Sequence, residues 1–127
     1  MPRVSEFPKE HRGLVAVIED DVSLNMAILR QLRAAGFRTR SFRSGREVLA
    51  AHGHIADCLV LDIHLPDMTG FELLCQLSTT SPTVVITAHD DPLHRRAASD
   101  VRAIAYLTKP IARDDLLDAV TRAVAAR

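Results

Sequence analysis

The chain has 127 residues, with 16 lysines and arginines balanced by 16 aspartates and glutamates, six histidines and two cysteines. That length suits one domain burying roughly two thirds of the surface its unfolded chain exposes, so a core forms without disulfide or metal staples. Zero net charge excludes a global field that would draw the whole chain onto nucleic acid or an anionic membrane; neither is an expected partner, and functional charge must be local.

Residues 1–13 read as a polar tail without an apolar stretch of signal-peptide length, and no run approaches the roughly 18–20 residues of a membrane span. A soluble, cytoplasmic protein is expected, with its folded domain over residues 14–127. "LVAVI" (14–18) is the first strand. Leu24, Ile28, Leu32 and Ala35 then recur at helical spacing behind Asp21, a capping candidate, and Gly36 is placed to end that helix in a left-handed conformation. "FRTRSF" (37–42) sets Arg38 and Arg40 opposite Phe37, Thr39 and Ser41, the pattern of an edge strand whose charges discourage further pairing.

"CLVL" (58–61), "TVVIT" (83–87) and "AIAYL" (103–107) are apolar without alternation, like the first strand, as expected where helices cover both faces. Phe71, Leu74 and Cys75 mark the helix after the third strand, which "STTSPT" leaves little room to extend. Residues 92–101 form a helix of modest apolar content. Leu116, Leu117, Val120 and Val124 mark the last helix, with Asp114 and Asp115 in its first turn, where the helix dipole favours them. Cys58 and Cys75 read as two buried, reduced thiols, since no CxxC or Cys/His spacing suggests a metal.

Strands separated by helix-length segments imply crossover connections, hence an α/β fold: a doubly wound, five-stranded parallel sheet with helices on both faces. With the second strand outermost, the order is 2-1-3-4-5, flavodoxin-like, and the binding crevice opens at the carboxyl ends of strands one and three. Strand one ends in "VIEDD" and strand three at Asp62, so Glu19, Asp20 and Asp62 meet there. Three carboxylates need a counter-ion, and oxygen-only ligands at an open site suit a hard divalent cation, most plausibly Mg2+. Strands four and five bring Thr87 and Lys109 to the same crevice, a hydroxyl and an ammonium suited to the oxygens of a phosphoryl group. Each residue alone has a plainer reading, as a helix cap, a turn former before Pro66 and Gly70, or an ordinary polar strand end. The conjunction at four strand ends is what is specific.

"VIEDD", "LVLDIHLPDMTGFELL", "VVITA" and "AYLTKP", in that order, resemble the receiver domain of bacterial two-component response regulators. The resemblance runs from about Leu14 to the end of the chain. It implies that Asp62 accepts a phosphoryl group from a phosphohistidine on a sensor histidine kinase or phosphotransfer protein. It implies that Glu19 and Asp20 hold Mg2+ with Asp62 and the backbone carbonyl of His64, with a frame at Asp20 and Asp21 left open. Thr87 matches the switch hydroxyl, Lys109 the phosphoryl contact and Tyr106 the aromatic that reports the active state, and Lys109–Pro110 resembles a cis bond. His64 and His89 occupy positions that tune the lifetime of the phosphorylated state, by sterics or as imidazoles whose ordinary pKa of about 6.5 lies near neutrality. The fourth helix, fifth strand and fifth helix would form a homodimer or effector surface. Arg102 departs from the family pattern, standing where a glycine-type backbone angle is expected.

Other readings remain. An aspartyl-phosphate phosphohydrolase would want an acid where "DIH" has His64 and an insertion to bind substrate. A phosphorylation-independent interaction module of the same fold would not need the full set of site residues. The chain ends soon after its last helix, leaving no room for an output domain; it is read either as a single-domain protein or as the excised receiver of a DNA-binding regulator.

Overall fold

A computed structural model describes residues 12–127. The polar tail expected over residues 1–13 lies outside the described residues except for Arg12 and Gly13. In chain order the elements are β1 (Leu14–Ile18), α1 (Val22–Ala34), β2 (Arg38–Phe42), α2 (Gly45–Ala50), β3 (Cys58–Asp62), α3 (Gly70–Gln76), β4 (Thr83–Thr87), α4 (Pro92–Asp100), β5 (Ala105–Thr108) and α5 (Arg113–Ala126). All strand pairs are parallel and the order is β2-β1-β3-β4-β5, as the sequence predicts.

Side-chain caps fix where the helices start. Asp21 accepts from the Leu24 amide at 3.1 Å to open α1, and Gly36, at φ 97°, turns the chain out of it. Ser44 opens α2, a helix too short to leave a periodic signal in the sequence. Thr69 and Glu72 form a reciprocal capping box on α3, and Asp91 caps α4 with Pro92 in its first turn.

Strand alternation divides the core between two faces. Val15, Val17, Val60, Val84 and Ile86 pack with Leu29 and Leu32 of α1 and Leu116 and Val120 of α5. Ala16, Ile18, Leu59 and Leu61 pack on the other face with Val48 of α2 and Leu73 of α3. Each fully buried aliphatic side chain contributes about 1.5–3 kcal/mol. A third, smaller cluster of Ile63, Val85 and Ala98 lies under α4, with Phe71 and Tyr106 beside it.

Two expectations are corrected. Cys58 is buried, but Cys75 is exposed. The short α3 turns Gly70 and Leu73 inward instead, because a Cβ at residue 70 would lie 2.6 Å from the Asp62 carbonyl oxygen and only glycine allows that approach. The fifth apolar run is covered only in part: Ala105 and Leu107 pack against the cluster under α1 and α5 and Tyr106 against the one under α4, but β5 is the second edge of the sheet and its residues stay half-buried or exposed. It starts at Ala105, since Arg102 takes the glycine-type angle, φ 58°, that turns the chain after α4. Among the described residues no helix is long and apolar enough to cross a membrane.

Candidate functional site

Parallel pairing brings the carboxyl ends of the strands to one edge of the sheet. Ile18 pairs with Leu61, so the residues that follow β1 and the last residue of β3 emerge side by side. Glu19, Asp20 and Asp62 each offer a carboxylate oxygen, and these oxygens lie within 4.8 Å of one another. Glu19 and Asp62 are buried and Asp20 is exposed.

One ammonium faces all this charge. Lys109 Nζ hydrogen-bonds to Asp62 Oδ2 at 3.2 Å and lies 2.6 Å from Glu19 Oε1. The latter contact is an ion pair without hydrogen-bond geometry, and Oε1 has no aligned donor. Glu19 Oε2 accepts from the Asp21 amide at 3.1 Å, and Asp62 Oδ1 accepts from the His64 amide at 3.1 Å. Burial pulls the Lys109 ammonium down, but Glu19 and Asp62 outweigh it and hold its pKa above the ordinary lysine value. Burial and then the neighbouring Glu19 push the Asp20 carboxyl up. Three carboxylates whose oxygens lie within 4.8 Å of one another, with one ammonium to balance them, fit a hard divalent cation bound through oxygen.

The remaining sequence candidates surround this cluster. Thr87 ends β4 and is fully buried; its hydroxyl donates to the His89 carbonyl at 3.1 Å and accepts from the His89 amide at 2.9 Å. No hydrogen bond joins it to the acidic cluster among the described residues. Tyr106, on the next strand, is half-buried under Arg95, whose guanidinium lies 4.8 Å from the ring centre. Its hydroxyl lacks a hydrogen bond of good geometry; burial, followed by the nearby Asp90, raises the phenol pKa. Asp21 is occupied in capping α1, and the Lys109–Pro110 bond is cis.

Three supporting residues stand outside the set expected from the sequence. Asn25, buried on α1, donates to the Glu19 carbonyl at 2.9 Å and also lies 3.3 Å from the Phe42 carbonyl. This tethers the loop that carries Glu19 and Asp20. Asp67 accepts from the Gly45 and Arg46 amides at 3.0 and 2.8 Å, tying the β3–α3 loop to the start of α2. His94 brings its ring to 5.2 Å from that of His64, centre to centre. Asn25 stands three positions before Ile28 on the inward face of α1, a polar residue at an apolar position and the one signal that marks it; the other two depend on loop geometry.

The sequence model of the response regulator receiver domain matches residues 15–121. The chain belongs to that family. It is 35% identical, over 88% of its length, to nodulation protein W of Bradyrhizobium diazoefficiens, of which it spans 51%. It is 37% identical, over 89% of its length, to the DNA-binding transcriptional regulator NtrC of Salmonella typhimurium, of which it spans 25%. The solved chemotaxis response regulator CheY4 of Vibrio cholerae superposes with a TM-score of 0.76 at 28% identity, over 87% of this chain and 97% of that one. The acidic cluster of this receiver domain therefore sits on a two-component signalling fold, and family membership speaks against the phosphohydrolase reading.

Proposed function

We propose that Asp62 accepts a phosphoryl group from the phosphohistidine of a sensor histidine kinase or phosphotransfer protein. The observation that carries this reading is Lys109, held between Asp62 and Glu19 at the carboxyl edge of the sheet. An Asp62 oxygen forms the new bond to phosphorus as the bond from phosphorus to the donor nitrogen breaks; with a proton on the donor ring's other nitrogen, the ring leaves as neutral imidazole and an acyl phosphate remains on the chain. Lys109 already reaches Asp62 Oδ2 and needs only a small movement to follow the negative charge onto the phosphoryl oxygens.

Glu19, Asp20 and Asp62, with the His64 carbonyl, would hold Mg2+, which when bound neutralises the carboxylates as an anionic donor approaches. Thr87 would exchange its bonds with the His89 backbone for one to a phosphoryl oxygen, and the space it leaves would admit Tyr106. That rearrangement would alter the surface of α4, β5 and α5, where Leu93 is 78% exposed, for a second copy or an effector. His64 and His89 would govern how readily water reaches the acyl phosphate. The chain is then a phosphoacceptor switch in the cytoplasm that assists its own phosphorylation and dephosphorylation.

A second reading makes this chain the receiver portion of a longer DNA-binding regulator, favoured by its spanning a quarter of NtrC. Both readings share one test. Incubation with a small phosphodonor and Mg2+ should add the mass of one phosphoryl group, and Asp62→Asn or excess chelator should abolish the gain. Unchanged labelling in Asp62→Asn would remove Asp62 from the role.

A further inference from the structure

The loop between β4 and α4 carries one backbone carbonyl that serves two side chains. The His89 oxygen accepts from the Thr87 hydroxyl at 3.1 Å and lies 2.8 Å from Nδ1 of His94, in the first turn of α4. The same nitrogen lies 3.2 Å from Asp91 Oδ2. Both oxygens accept, so Nδ1 carries the hydrogen, and the nearer of the two, the carbonyl, takes the hydrogen bond. A carbonyl oxygen has two lone pairs, enough for Thr87 and His94 together.

We propose that His94 is the positioning residue through which a turn of Thr87 reaches α4. The inference rests on the phosphoacceptor reading of Asp62 and adds the link by which that site moves the helix. When the Thr87 hydroxyl leaves for a phosphoryl oxygen, the His89 carbonyl keeps a single side-chain donor, and that donor belongs to α4. Loop and helix then rearrange as one piece. Without His94 the same turn strips the carbonyl of both side-chain donors, and the loop rearranges without drawing the helix along.

The neighbours of His94 are less suited to this work. Asp91 accepts from the His94 amide at 2.8 Å as the cap of α4, so it travels with the helix and makes no bond to Thr87. The pair between Arg95 and Asp90 spans the same gap, at 2.7 and 2.8 Å, but it is exposed to solvent and worth little there. The His94 side chain is 22% exposed, and its ring also meets the His64 ring edge to face, with centres 5.2 Å apart. His64 in turn donates its amide to Asp62 Oδ1 at 3.1 Å. One imidazole on α4 thus touches both loops that flank the phosphoacceptor.

The test is amide exchange of the full chain with and without saturating beryllium fluoride and Mg2+, read separately over residues 88–91 and 93–100. In the wild type the analogue should change exchange in both segments. In His94→Ala the change over residues 88–91 should persist, while the change over residues 93–100 should shrink at least about threefold, the worth of one hydrogen bond. His94→Asn, whose side-chain amide can donate from nearly the position of Nδ1, should restore it. The quantity compared is the change caused by the analogue, which a general loosening of α4 does not produce. An undiminished change over residues 93–100 in His94→Ala would overturn the proposal, and so would a His94→Asn chain that behaves like His94→Ala. Loss of the change in both segments of His94→Ala would place His94 in the phosphoryl site itself and overturn it as well. A wild-type chain that responds in neither segment would overturn the phosphoacceptor reading, and this inference with it.

Discussion

The half of the molecule around β1 and β3 is anchored deeply, and the half around α4 and β5 is not. α1 buries Asn25, Ile28, Leu29 and Leu32, and α5 buries Leu116, Ala119, Val120 and Ala123. α4 buries Ala98 alone and leans on β5, an edge strand with no fully buried residue. What holds α4 otherwise is mostly polar and partly exposed: its Asp91 cap, the His94 ring against the His89 carbonyl, Arg95 over the Tyr106 ring, and a solvent-exposed pair between Arg95 and Asp90, the last a kind of contact worth little in water. The carboxylates therefore stand on a rigid platform, and the segment next to them that can move is the one with least to lose. A switch needs both properties, and the fold supplies them on opposite sides of β3.

The largest effect that would break this contrast is a core truncation. Leu59→Ala, on the fully buried third strand, should cost about 2–5 kcal/mol in denaturant unfolding, whereas Leu93→Ala on α4 should stay within about 0.5 kcal/mol. Equal losses would mean that α4 is as firmly held as the platform.

The thiols sharpen the same contrast. Burial pushes the Cys58 thiol up to about 12. Its folded value lies above the unfolded one, near 9, so between these the unfolded chain gives up a proton that the folded chain keeps. Cys58 should thus contribute a loss of stability of about 1 kcal/mol per pH unit above pH 9, absent in Cys58→Ala. At about pH 8 a maleimide should label Cys75 and spare Cys58 until the chain unfolds. Rapid labelling of both would contradict the buried platform.

Amide exchange compares the halves directly. The α4 amides should exchange at least about tenfold faster than those in the middle of α1, and a phosphoryl analogue with Mg2+ should change protection within residues 88–107. No change there would remove the proposed link from Thr87 to Tyr106.

Arg102 gives the smallest effect. It holds φ 58° at the end of α4, a conformation disfavoured for a residue with a Cβ, so Arg102→Gly should stabilise the protein by about 0.5–1 kcal/mol. A loss of stability would show that the arginine side chain makes up for its backbone angle.

The sheet order was legible because non-alternating apolar strands require cover on both faces, while "FRTRSF" alternates and belongs at an edge. Parallel strands then put Glu19, Asp20 and Asp62 at one edge whatever the loops do. Lys109 and Thr87 follow by the same rule. The sequence was silent on α2, whose six residues are too few for periodicity, and misleading on Cys75, because Gly70 rather than the apolar spacing sets the inward face of α3. The predicted order already put β5 at an edge; what its apolar run left unmarked is that its residues stay half-buried or exposed beside a loosely held helix. Asp67 and His94 act through loop conformation, which no spacing rule encodes.

The account rests on Asp62, and locating the phosphoryl group tests it most directly. After incubation with a small phosphodonor and Mg2+, borohydride reduction of the acyl phosphate and peptide mapping should place the reduced residue at position 62 alone, with none when Mg2+ is chelated. Reduction at Asp20, Asp67 or any other acid with Asp62 intact would contradict it.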